Sequence, residues 1–405
     1  MTRRCLLLLL LTAVLAGSAA AREADDEPTF LDKKLSYWLT LLESGKDAKA
    51  RRRGVIAVEQ IGHAASRKVV PALAKAVRED SDPVVRATAA RAAGRAMAKA
   101  LETARADKRD DLPRFDTARD ALAAALRSDK SDAVREAAAV ALGDLGRDAR
   151  PAVGALAFAL KDRSPATVRA AAAALRQVGP DAREAQAELQ ALLADQQADT
   201  EARTDAARCL GQIRPEEGGA VNVLRDVFTD PKADLPLRVA AAEAAGRLGA
   251  TARPIAADLG KLLIARDSAA ELRVAVVTAL DALGGEAKPA LPALIAAVND
   301  VAIERQKGDT GRTVRCLAMH ALGRLGKDLD DRRKDTVQAL LKATDDPNTE
   351  VSVTALETLA ALTADGNAGE SDVVVKKIDA ILLREGRKAI REAAEAARER
   401  IRPKK

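Results

Sequence analysis

Apolar residues along most of the chain recur in a pattern that returns every 34 or 35 residues. Its cleanest copy is Val134-Arg135-Glu136-Ala137-Ala138-Ala139-Val140-Ala141-Leu142-Gly143-Asp144-Leu145-Gly146. Counted from the arginine, apolar side chains fall at −1, +3, +7 and +10, here Val134, Ala138, Leu142 and Leu145. That spacing is one stripe of an α-helix. The frame returns at Leu237-Arg238 and Val314-Arg315, with weaker copies at Arg51, Arg86, Arg169, Arg203, Arg273 and Ser352. Successive anchors lie 35, 49, 34, 34, 35, 35, 42 and 37 residues apart. A period near 35 residues holds two helices and two short turns, so nine helix pairs are predicted.

Small residues occupy +8 and +11 of the frame, Gly143 and Gly146 in the cleanest copy. Glycine there either closes the helix through a left-handed residue or lets a neighbouring helix approach closely. A short polar turn follows, then a second apolar run such as Pro151 to Leu160. Proline at Pro151, Pro254 and Pro289 suits the first turn of that second helix. Ser131-Asp132 and Ser81-Asp82-Pro83 supply N-cap chemistry before the next anchor. Arginine holds the anchor in eight of nine pairs, often with an aspartate in the preceding turn. It forms either a basic ladder for anionic ligands or ion pairs with turn aspartates that keep the layers in register. Repetition at one structural position favours register.

The run D-x-x-V-R-x-x-A-x-x-A-L-G-x-L-G, followed by an A-x-P-A-L-x-x-L helix, resembles HEAT repeats, in the variant grouped with bilin-lyase-like HEAT repeats. The resemblance covers residues 31–363. It implies an all-α fold: a right-handed α-solenoid of about nine HEAT-type helix pairs. The Val-Arg helices would line its concave surface and the Pro-Ala-Leu helices its convex one. Such arrays serve many roles, so the resemblance implies no particular function.

The ends depart from the repeat. Arg3 and Arg4, the apolar run Leu6 to Ala16 and the small residues Gly17 to Ala21 have the pattern of a signal peptide, residues 1–21, cleaved near Ala21. The apolar run is shorter than the roughly 20 residues a membrane span needs. Export to the periplasm or beyond the cell is therefore expected, with no membrane span. Residues 22–30 form an acidic linker, and Phe30 to Leu42 an opening helix whose Trp38 covers the end of the core. Residues 364–405 form a C-terminal helical cap, with helices over 372–384 and 387–401, and a basic tail. The two long intervals predict edge segments: elongated helices across 99–118, and a loop at 301–311. Such segments emerge near the binding face in some arrays, although tolerated loop drift also explains them.

Composition narrows the chemistry. The chain has 405 residues, 48% hydrophobic and 1% aromatic, with one Trp, one Tyr and four Phe. So few aromatics disfavour ligand pockets and nucleobase stacking. The formal charge is +6; without Arg3 and Arg4, 64 basic residues face 60 acidic ones, a balance of +4. Basic runs such as Arg51-Arg52-Arg53 are offset by nearby glutamates, and nucleic acid is not an expected partner. His63 and His320 belong to pairs one and eight, too far apart for paired His-Glu di-iron chemistry, and zinc lacks a cluster of Cys and His. No Cys–His or Ser–His–Asp set can be assembled. Cys209 and Cys316 lie three layers apart, which predicts two buried free thiols. Catalytic residues, cofactor and metal are accordingly none.

What remains is a surface. Positions +2, +5 and +9 should face the concavity, giving Arg91, Arg95, Asp205, Arg208, Gln212, Glu243, Arg247, His320 and Arg324. Pairs three and four contribute mainly Ala and Val there, apart from Asp144. Charge around a flat small-residue centre suits an extended polypeptide or a helix laid along the groove; a merely solvated helix face would also be polar. The expected function is a non-catalytic exported scaffold for a protein or peptide partner, with a monomer as the default state. An accessory enzyme or ligand-binding protein with a pocket spread over several repeats is the alternative. An envelope component binding anionic polymer through its basic end is a third reading.

Overall fold

The computed structural model describes residues 27–62, 66–108, 114–214, 219–300, 310–364 and 368–402. The expected signal peptide, residues 22–26 of the linker, His63, the turn at 109–113, the loop at 301–309 and residues 403–405 lie outside these. The chain divides into two compact units, residues 1–178 and 179–405.

The N-terminal unit opens with a small antiparallel hairpin, β1 (Thr29–Phe30) and β2 (Lys33–Lys34). Eight helices follow: α1 (Leu35–Ser44), α2 (Ala48–Ile61), α3 (Ser66–Glu79), α4 (Pro83–Ala106), α5 (Asp116–Ser128), α6 (Asp132–Asp144), α7 (Val153–Ala159) and α8 (Pro165–Val178). The Val-Arg helices α2, α4, α6 and α8 stack on one another as an A layer, and α3, α5 and α7 form a B layer. The C-terminal unit contains α9 (Gln186–Ala194), α10 (Thr200–Ile213), α11 (Gly219–Thr229), α12 (Leu235–Arg247), α13 (Ala256–Ile264) and α14 (Ala270–Leu283). It continues with α15 (Leu291–Val298), α16 (Thr310–Leu325), α17 (Arg333–Ala343), α18 (Thr349–Thr363), α19 (Ala368–Arg384) and α20 (Lys388–Ile401). Here α10, α12, α14, α16, α18 and α20 make the A layer, and α9, α11, α13, α15 and α17 the B layer. The fold is all-α in stacked HEAT-type helix pairs.

Local chemistry explains the helix ends. Asp47 accepts from the Ala50 amide at 2.7 Å, and Asp82 from the amides of Val84 and Val85 at 2.8 and 3.1 Å, satisfying donors that the first turn leaves open. At +11 the chain turns left-handed through glycine, as at Gly146 (φ 53°) and Gly249 (φ 61°). A seven-residue 3₁₀ segment then leads to the B helix, as in Gly146–Ala152 and Gly284–Ala290. Pro151, Pro254 and Pro289 lie inside these segments, each two residues before the first residue of the α-helix rather than in its first turn. In the fifth pair the +11 residue is Arg214, held left-handed at φ 48°. A side chain pays about 1–2 kcal/mol for that conformation and glycine does not. Arg214→Gly should therefore raise stability by about 1 kcal/mol in urea unfolding; an unchanged midpoint would show that the turn costs nothing.

The anchor arginines do tie the layers. In the N-terminal unit Arg51 grips Asp80 (Nε–Oδ2 2.7 Å), Arg86 grips Asp129 (2.8 Å) and Arg135 grips Asp162 (2.6 Å), each through two nitrogens. Arg86 and Arg135 also donate through Nη1 to the carbonyls of Asp80 and Asp129, both at 2.9 Å. Each guanidinium thus joins the turn before its own A helix to the turn before the next A helix. In the C-terminal unit Arg203, Arg238 and Arg273 instead reach the carbonyls of Leu193, Phe228 and Ala265, at the end of the preceding B helix. Arg315 combines both modes, bonding the Val298 carbonyl and Asp346. Ser352 is too short to do so. Its hydroxyl takes the Asp346 carbonyl at 2.9 Å, and Arg387, just before α20, reaches back to the same carbonyl and that of Pro347.

The fourth pair corrects the sequence frame by one residue. Thr167, Ala171, Ala174, Leu175 and Val178 are buried and Arg169 is exposed. That burial is the stripe of an anchor at Val168, eleven residues before Gly179, as Arg135 is eleven before Gly146. The anchor is therefore valine there, not Arg169.

The edges and ends also differ from expectation. Most of the extra length in the 49-residue interval belongs to α4, which runs 24 residues, while α5 has 13. The extension does not simply project: Met97, Ala100, Leu101 and Ala104 are buried, and Arg105 bonds Asp148 in the following 3₁₀ segment at 2.7 Å. At the start, Phe30 is in a strand rather than a helix. Trp38 is half-buried, donates to the Phe30 carbonyl at 3.0 Å and meets the Phe30 ring edge-on at 6.2 Å. At the other end α20 packs directly on α18, burying Ile390, Ala394 and Ala397.

Candidate functional site

The A helices bury +3, +4, +6, +7 and +10, and −1 in all but the first pair, against α1 or neighbouring helices, which leaves one outward stripe on each. Positions +5 and +9 lie on it. Position +2 does so only in part: Arg53 is exposed and Asp205 half-buried, whereas Ala137, Ala240 and Ala275 are buried. An A helix wedged between two others has little free arc, and +2 points toward a neighbour.

In the N-terminal unit the predicted residues are tied into a network. Arg95 Nε lies 2.5 Å from Glu59 of α2, and its charge also acts on Asp144 of α6. Desolvation pushes the Asp144 carboxyl above its usual range, and Arg95 opposes that rise. Arg91 bonds Glu136 of α6 at 3.2 Å. The C-terminal unit repeats one of these contacts: Arg324 lies 3.6 Å from Asp281 of α14. In both units an arginine at +9 reaches an acid at +8 of the preceding A helix. Asp205 and Arg208 form a long pair at 3.9 Å on α10, beside Gln212, which is half-buried. Glu243, Arg247 and His320 are exposed and make no hydrogen bond or ion pair among the described residues.

The structure adds residues that the sequence reading passed over. On α2, Lys49, Arg52, Arg53 and Ile56 share one exposed stripe, Ile56 being 41% exposed. The +2 and +5 rule already names Arg53 and Ile56 when applied to the first pair.

Other chemistry is thin. A cleft of about 460 Å³ in the N-terminal unit lies at the turn edge between α1 and α3. Four of its charges are spent on each other, Arg51 on Asp80 and Lys75 on Glu43 at 3.5 Å. Cys209 and Cys316 are buried free thiols. Burial pushes the Cys316 thiol up, partly offset by the Thr354 hydroxyl at 3.6 Å, so it is a poor nucleophile. Among the described residues no group of His, Cys, Asp and Glu could hold a metal, and no helix is long and apolar enough to cross a membrane.

Residues 119–204 match the family described as HEAT repeats. No curated protein matches the chain. Among solved structures, the crystal structure of Kap121p bound to Pho4p is similar at 14% identity and a TM-score of 0.46, over 95% of this chain and 47% of that one. The karyopherin Kap121p bound to the extreme C-terminus of the protein phosphatase Cdc14p gives 14% and 0.45, over 99% and 49%. The chain spans about half the length of Kap121p.

Proposed function

We propose that this chain is a non-catalytic scaffold holding a protein or peptide partner along the outward face of its A layer. We also propose that it is a HEAT-repeat protein of the bilin-lyase-like variant and exported bacterial type, released by cleavage near Ala21. The observation that carries the binding reading is the unspent polarity of the C-terminal unit's A face. Glu243, Arg247 and His320 stand exposed on α12 and α16 without partners among the described residues. A face meant only for solvent gains nothing from holding charges in fixed rows, whereas a partner supplies their counter-charges.

Arg208→Glu combined with Arg247→Glu tests the reading. Both side chains are exposed, so circular dichroism should not change. Capture of the partner from cell-envelope extract should fall at least about tenfold, the effect expected when charge is reversed in an interface. Undiminished capture would remove this face from consideration.

A further inference from the structure

Charge is unevenly distributed along the chain. Residues 27–80 carry 11 basic and 7 acidic side chains, a balance of +4, whereas residues 81–405 carry 52 and 50, a balance of +2. Three unmatched cations of the first segment stand on the exposed stripe of α2. Lys49, Arg52 and Arg53 make no ion pair or side-chain hydrogen bond among the described residues. The acids around them are committed elsewhere: Asp47 accepts from the Ala50 amide at 2.7 Å, Glu59 pairs with Arg95, and Glu136 with Arg91. Ile56, 41% exposed, follows Arg52 and Arg53 by one helical turn on the same stripe. Beyond α4, Val140 of α6 stands 38% exposed at the same +5 position.

We propose that this part of the A face takes an extended acidic peptide, its carboxylates on Lys49, Arg52 and Arg53 and its aliphatic side chains on Ile56 and Val140. Three cations without counter-charges attract anions of any kind. Two features select a peptide among them. A uniform polyanion such as nucleic acid would meet Glu59, Glu136 and Asp144 as it crossed the layer, and α2, α4 and α6 hold no aromatic residue on which a base could stack. The exposed isoleucine and valine suit aliphatic side chains, which lose water on contact. Spacing agrees with an extended chain. Stacked helices lie about 8–10 Å apart and an extended chain rises about 3.3 Å per residue, so a crossing peptide meets a new helix roughly every three residues. The proposal rests on the reading above that the A face binds polypeptide, and it names the chemistry that the N-terminal unit accepts.

Fluorescence anisotropy of the full chain with the labelled peptide Asp-Glu-Asp-Leu-Gly-Ser-Gly-Ser-Gly-Leu, at low ionic strength, tests the proposal. The peptide should bind saturably, and Arg52→Glu with Arg53→Glu should weaken binding at least about tenfold. Ile56→Ser should weaken it about threefold to fivefold, through lost apolar burial. Arg391→Glu with Arg400→Glu, exposed cations on α20 of the other unit, should leave it unchanged. All five side chains are exposed, so circular dichroism should not change in any variant. A peptide that fails to bind would overturn the proposal, as would binding indifferent to the α2 substitutions or weakened equally by those on α20. A thymidine oligonucleotide bound as tightly as the peptide would overturn it too, leaving a general anion patch. Arg208→Glu with Arg247→Glu does not alter α2 and should leave peptide binding intact, so the two proposals fail separately.

Discussion

Asp162→Ala should cost the N-terminal unit about 3 kcal/mol, the low end of the range for breaking a buried ion pair, because Arg135 keeps the exposed Asp132 as a second partner. Arg135 is 6% exposed and holds Asp162 through Nε and Nη2 at 2.6 and 2.8 Å. Asp162 also accepts from the Ser164 amide at 2.8 Å, shaping the turn that starts the next pair. Removing the carboxylate leaves the guanidinium with only the exposed Asp132 carboxylate, 2.7 Å from Nη2, and the Asp129 carbonyl, and it unties that turn as well. Replacing both partners with apolar residues of similar size should recover much of the loss, because desolvation and attraction nearly cancel in buried pairs. Hydrogen exchange resolved along the chain is the suitable measurement, since repeat arrays need not unfold in one step. A loss no greater than that of a surface pair, under about 1 kcal/mol, would sink the register role.

The same contact sets an acid dependence. Burial pushes Asp162 up, but the hydrogen bonds from Arg135 and the Ser164 amide outweigh it and leave the carboxyl below its ordinary value. Asp80 and Asp129 are lowered in the same way by Arg51 and Arg86. A carboxyl lowered by folding stabilises the fold above its unfolded value, about 3.9. That contribution is lost as pH falls through the lowered folded value. Asp162→Asn, which cannot titrate, should therefore narrow the stability difference between pH 7 and pH 3.

Much of this was legible because the repeat carries its own control. A glycine at +11 and an arginine at the anchor recur together, so each pair checks the others. The fourth pair shows how that reading fails. Val168-Arg169 imitates Val134-Arg135, yet the valine of the first occupies the position of the arginine of the second. Counting back from Gly179 would have found the slip, because a left-handed turn tolerates less drift than a side-chain type. The hairpin and the Trp38 contact lay beyond periodicity, since two-residue strands leave no pattern. On the A face, spacing identified which residues emerge but not which are spent. The reach of Arg95 to Glu59 depends on how closely two helices stack, and that distance is set by small residues.

The closeness of that stacking leads to the second large effect, Gly246→Val. A Cβ on Gly246 would lie 2.6 Å from the Cα of Ala279 and 2.8 Å from its Cβ, so α12 and α14 touch backbone to backbone. Even alanine there should destabilise. It gains about 1 kcal/mol in helix propensity but forces apart two rigid helices, for which overpacking costs of about 1–3 kcal/mol are typical. Valine should exceed that range. Ala279→Gly should rescue Gly246→Ala only in part, because the nearest contact is a Cα that no substitution removes. Gly323 holds the same +8 position on α16, yet a Cβ there would meet only the Thr358 methyl at 3.4 Å. Gly323→Ala should therefore be neutral or stabilising by up to about 1 kcal/mol. Opposite signs at two equivalent glycines separate close approach from intrinsic propensity, and thermal unfolding of the two alanine variants decides it. Equal signs would mean the tight contact between α12 and α14 relaxes without cost. Because Glu243 and Arg247 ride on α12, Gly246→Val should also weaken partner capture without touching a charged residue.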